Sequence, residues 1–130
     1  MRSIAFNYYS TKSLSATQKP IPFDMEVANY GNAYLNGRFT APISGIYFIH
    51  FWSEMVGSVQ VFMILTHDNS ETNIARTYHN EGNYNMDAMT QIIHLDKGDK
   101  IQMKLSSGSL RGSTAYASNG FMGYLIYPDK

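Results

Sequence analysis

The chain has 130 residues, of which 44% are hydrophobic, 14% aromatic and 15% charged, a length that corresponds to a single domain over residues 1–130. Ten basic residues balance ten acidic ones, so no basic field exists to neutralise phosphates and nucleic-acid binding is not expected. The absence of cysteine excludes disulfide scaffolds and thiolate metal sites, and no apolar run approaches membrane-spanning length, so membrane insertion is not expected either.

In chain order the sequence reads as strands. "SIAFNYYS" is the first, followed by the polar connector "STKSLSATQKPIP" with its two prolines. "FDMEVAN" is the next, and in "YGNAYLNGRFTAP" the pair Asn36-Gly37 is a tight-turn signal, because both residues tolerate positive φ. A long run from Gly45 to Met55 breaks at Val56-Gly57 and resumes as "SVQVFMILTH". The turn "DNSETN" leads into "IARTYHNEGNYNMDAMTQIIHL", and "DKGD" turns the chain into "KIQMKLSS". The Gly/Ser loop "GSLRGSTAYASNG" precedes the closing "FMGYLIYPD". Apolar runs recurring every ~8–15 residues without a helical period predict an all-β sandwich.

Several strands are apolar on both faces. Tyr47, Ile49, Phe51 and Met55 alternate with Ile46, Phe48, His50 and Trp52. Val59, Val61, Met63 and Leu65 oppose Phe62 and Ile64, and Phe121 and Leu125 oppose Met122, Tyr124 and Ile126. A sandwich strand ordinarily shows one apolar and one polar face, so a second buried surface is expected, either under the chain's own loops or at an oligomer interface.

Phe23, Asn29, Tyr34, Phe39, Gly45, Tyr47 and Phe51, with "LDKGDKIQMKL", Gly108 and "NGFMGYLIYPD", resemble the signature of the globular head domain of complement C1q over nearly the whole chain. "GNAY" and "FTAP" are similar to the invertebrate, molluscan-type members. Two features depart from the family pattern: Tyr34 and Phe39 stand closer together than usual, and Ile49 occupies a position where phenylalanine is common. No collagen-like Gly-X-Y segment precedes the domain, so recruitment of complement proteases through a stalk is not carried over. The resemblance implies a ten-stranded jelly roll, similar to the tumour-necrosis-factor fold, that assembles as a homotrimer. Phe48, Met122, Tyr124 and Ile126 are then the expected trimer interface. "RFTAPISGIYFIHF" becomes skeleton, with Tyr47 and Phe51 inward and Gly45 allowing a tight turn after Pro42. The resemblance also implies an extracellular location, although the opening "MRSIAFNYYSTKS" lacks the apolar core of a signal peptide.

Catalysis is not expected. His50, His67, His79 and His94 show no ligand spacing, no G-x-S-x-G elbow or phosphate-cradling loop occurs, and His50 reads as a packed histidine. In "HNEGNYNMD" the residues Glu81, Asn83, Asn85 and Asp87 recur at every second position and offer the oxygen ligands that calcium prefers. Some members of the resembled family bind calcium near this loop. The sequence demands no cofactor, and calcium is the ion this loop suits; the alternative is a solvated loop whose asparagines favour turns.

Tyr8, Tyr9, Tyr30, Tyr78, Tyr84 and Tyr116 lie near segments dense in Asn and Ser. Ring faces stack on sugars while amides bond their hydroxyls, which makes Tyr84, Asn83 and Asn85 candidates for glycan binding. The expected function is non-enzymatic pattern recognition of microbial polysaccharides such as mannan or lipopolysaccharide. The alternative is a cytokine-like or structural trimer with a protein receptor or matrix partner.

Overall fold

A computed structural model describes residues 3–15 and 17–130, without the side chains of Glu81 and Asn83. Among the described residues all the regular elements are strands. They are β1 (Ala5–Tyr9), β2 (Leu14–Ser15), β3 (Met25–Tyr30), β4 (Tyr34–Leu35), β5 (Arg38–Thr40), β6 (Gly45–His67), β7 (Ser70–Leu95), β8 (Lys100–Leu110) and β9 (Asn119–Pro128). Hydrogen-bonded neighbours run β3-β1-β9-β6-β8-β5-β4, with β2 on β8 and β7 on β6.

β6 organises this jelly roll. Its first part, Gly45 to Ser53, pairs with β9. Its later part, to Thr66, pairs with β8. The strand therefore serves both layers, passing between them through irregularities around Gly57, whose φ is +78°. The break expected at Val56-Gly57 is a bulge inside one continuous strand, and dividing β6 there gives ten segments.

Two turns follow directly from local chemistry. Asn36 (φ 48°) and Gly37 (φ 91°) are both left-handed, which closes the β4–β5 hairpin with Leu35 opposite Arg38. Asp68 (φ 49°) and Asn69 (φ 64°) do the same between β6 and β7, so "DNSETN" contributes a two-residue turn and the rest is strand.

The core bears out the skeletal reading of "RFTAPISGIYFIHF": Phe39, Tyr47, Ile49 and Phe51 are completely buried. Gly45 serves a different purpose from the expected turn. A Cβ there would stand 2.6 Å from the Tyr127 carbonyl oxygen and 2.9 Å from Leu125 Cδ1, so the residue admits close approach of β9. The alternation expected after Val59 slips at the irregularity between Met63 and Ile64, which buries Ile64 and leaves Leu65 half-buried.

Tyr8 is a core residue. Its ring stacks on Tyr34 with centroids 3.7 Å apart, and its hydroxyl donates to Glu26 Oε1 at 2.7 Å. Burial, and then the Glu26 carboxylate, push the Tyr8 phenol up to about 12. Burial raises Tyr34 as well. A folded-state pKa above the unfolded one contributes stability below the free-tyrosine value of about 10, and this is lost as pH rises further. The urea midpoint should therefore fall as pH climbs from about 10 towards 12, and Tyr8→Phe should flatten the fall. An identical slope in the variant would remove Tyr8 as its cause.

Candidate functional site

The outward positions of β6 carry the first candidate surface. Because β6 pairs with β9 on one side and β7 on the other, its residues alternate strictly, and the even positions from Ile46 to Trp52 face away from the core. Phe48 stacks on His50 at 6.1 Å, His50 on Trp52 at 5.9 Å, and Phe48 on Tyr124 of β9 at 5.2 Å. Phe48 and Met122 are half-buried, while Tyr124 and Ile126 are 44% and 37% exposed. Ile92, which sequence reasoning did not single out, stands opposite Phe48 on β7 and is 66% exposed. His50 is packed as expected: its Nδ1 lies 2.7 Å from Thr90 Oγ1, and burial pulls its pKa below the ordinary range.

The second candidate lies near the β6 irregularity, where β7 and the end of β8 meet. Tyr84 is 57% exposed, and the Arg111 guanidinium carbon stands 5.0 Å from its ring centroid. Arg111 Nε is 3.5 Å from Glu54 Oε2, and its main-chain N–H donates to the Glu54 carbonyl at 3.1 Å. The nearby Tyr116 and Tyr84 hydroxyls hold the guanidinium above the usual arginine range. With Ser13, Val56 and Ser109, Tyr84 and Arg111 border an open cavity of about 190 Å³. Arg111 was missed because its segment reads as a Gly/Ser loop. The available signal was one cation between tyrosines.

The proposed calcium ligands are only partly described. Asn85 Oδ1 accepts its neighbour's Met86 N–H at 3.0 Å. Half-buried Asp87 borders a shallow cavity with Arg76 and Tyr78. The side chains of Glu81 and Asn83 lie outside the described residues. Among the described residues, the three-membered group of His, Asp or Glu side chains close enough to share an ion is His67, Asp96 and Asp99, in a different part of the molecule.

The family model of the C1q domain matches residues 5–126. Over 130 residues the chain is 28% identical to "Complement C1q tumor necrosis factor-related protein 3" of Mus musculus, covering 98% of this chain and 52% of the relative. The chain thus spans about half the length of that curated relative. Among solved structures, the globular domain of zebrafish complement 1qA protein is similar with a TM-score of 0.78 and 18% identity, over 97% of this chain and 99% of that one. Eiger TNF from S. frugiperda gives 0.77 at 9% identity, over 100% of this chain and 96% of that one.

Proposed function

The chain belongs to the C1q domain family, whose members are non-enzymatic binding domains, and from that premise we propose that it is a homotrimeric recognition head for microbial surface glycans. The observation that carries the ligand reading is the meeting of Tyr84 and Arg111 at the rim of an open cavity. Aromatic faces suit sugar rings, and a guanidinium fork suits phosphate or carboxylate groups. The preferred class is therefore an anionic polysaccharide such as lipopolysaccharide, ahead of a neutral mannan. Such a ligand places the protein outside the cell. Assembly is supported by the apolar row of Phe48, Met122, Tyr124 and Ile126, a surface that a lone protomer leaves in water.

Immobilised lipopolysaccharide and mannan test the ligand. A charge-assisted hydrogen bond contributes about 1.5–3 kcal/mol, so Arg111→Ala should weaken lipopolysaccharide binding tenfold or more and leave mannan binding nearly unchanged. Tyr84→Ala should weaken both. If neither glycan is retained over a blank surface, the protein-partner reading replaces this one. Similarity to a tumour necrosis factor-related protein favours that alternative.

A further inference from the structure

We propose that His67, Asp96 and Asp99 form a binding site for a divalent transition-metal ion of the zinc class, at the end of the sandwich opposite the Tyr84–Arg111 cavity. Both ends of β6 arrive at this pole, since Gly45 pairs with Leu95 and Thr66 with Lys100. His67 ends β6 beside the β6–β7 turn and the β7–β8 turn carries the two aspartates, which brings together groups 32 residues apart.

The geometry suits a small ion. The three donor atoms lie within 4.8 Å of one another. His67 Nδ1 is 2.6 Å from Asp99 Oδ1 and 3.7 Å from Asp96 Oδ2. A tetrahedral ion with ligand bonds of 2.0–2.2 Å holds its ligand atoms about 3.3–3.5 Å apart. The two observed separations bracket that span, so side-chain shifts below about 1 Å complete the site. Asp99 is preorganised: its side chain is 9% exposed, its Oδ2 accepts the Asp96 N–H at 2.9 Å, and its Oδ1 hydrogen-bonds His67 Nδ1 at 2.6 Å, a contact whose shared proton the ion would replace. The turn itself is fixed by Asp99 N–H to the Asp96 carbonyl and Gly98 N–H to the Ala41 carbonyl, both 2.9 Å.

A second observation points the same way. The other nitrogen of His67, Nε2, lies 3.2 Å from Asp68 Oδ2. A carboxylate on the distal imidazole nitrogen is the usual means of orienting a metal-bound histidine and raising its basicity. A cavity of about 380 Å³, bordered by residues 66–69 and 96–100, adjoins the group and gives water access to the remaining coordination position. Lys97 and Lys100 also border it and offset part of the carboxylate charge, so the imidazole rather than bulk negative charge selects the ion. Imidazole favours zinc, copper or nickel, whereas calcium requires six to eight oxygen ligands.

Isothermal titration with zinc chloride at neutral pH is the test. Wild-type protein should bind zinc, gain melting temperature as zinc is raised, and show no calcium binding at this pole. His67→Gln and Asp96→Asn should each weaken zinc binding tenfold or more while keeping the strand-rich circular dichroism of the wild type. His94 provides the control, since it forms its own pair with Asp129 at 2.8 Å and approaches Asp96 Oδ1 only to 3.8 Å. His94→Gln should retain zinc. Zinc binding that survives His67→Gln, or that is lost only in His94→Gln, overturns the assignment, as does its absence at millimolar zinc in the wild type. Cobalt added to wild-type protein gives a readout that needs no variant to fold: intense visible absorption supports a four-coordinate ion held in part by imidazole, and a spectrum unchanged from aqueous cobalt counts against it. Glycan binding is read separately, so loss of zinc and loss of the lectin reading are independent results.

Discussion

Phe121→Ala should lower the unfolding free energy by about 3–5 kcal/mol, a large share of the 5–15 kcal/mol typical of a domain. Phe121 is completely buried on β9, between β1 and β6. Its ring meets Phe6 edge-on at 4.8 Å, Phe23 at 5.6 Å and Tyr34 at 6.3 Å. Phe6 in turn stacks on Phe39 at 4.7 Å, so one aromatic cluster ties β1, β4, β5 and β9 together. Strands paired on both sides cannot move inwards independently to fill the void, which places the cost at the cavity-forming end of the range. Urea denaturation should show a lower midpoint with an unchanged slope. A loss below about 1 kcal/mol would mean that the cluster repacks, contrary to the rigidity implied by its interlocked rings.

What the sequence displayed and what it concealed differ by the range of the forces involved. Strand positions and inward faces follow a period of two along the chain, so Tyr47, Ile49 and Phe51 were legible without any partner in view. Asn36-Gly37 was equally local, because its φ values depend on its own two residues. The continuity of β6 was hidden, since Val56-Gly57 looks like a turn unless the strands on either side are known. The burial of Tyr8 was hidden because it depends on Tyr34, far along the sequence. Proximity of His67 to Asp99 arises only when two turns meet at one pole, which no spacing rule reports. Of the candidate sites, the outward row on β6 and β9 followed from alternation, whereas Arg111 beside Tyr84 needed the tertiary fold.

Tyr124→Glu should convert a trimer into a monomer while preserving the fold. In the single protomer Tyr124 is 44% exposed and rests on Phe48, so a glutamate there reaches water and costs the isolated domain little. In a homotrimer closed through Phe48, Met122, Tyr124 and Ile126, the same substitution places an unpaired carboxylate in each apolar contact. Desolvating such a charge costs several kcal/mol per copy, and every 1.4 kcal/mol is tenfold in association. Sedimentation equilibrium should therefore give three 14.7 kDa protomers for the wild type and one for the variant, with similar circular dichroism. The two proteins also separate assembly from recognition. Binding of a monosaccharide depends on one site and should be equal in both. Binding to a repeating polysaccharide gains about 10²–10⁴-fold from simultaneous engagement and should fall by that factor in the monomeric variant. A wild-type protein that sediments as a monomer at every concentration would overturn the interface. A trimeric variant would move it away from Tyr124, leaving the exposed aromatic row to a partner other than the chain itself.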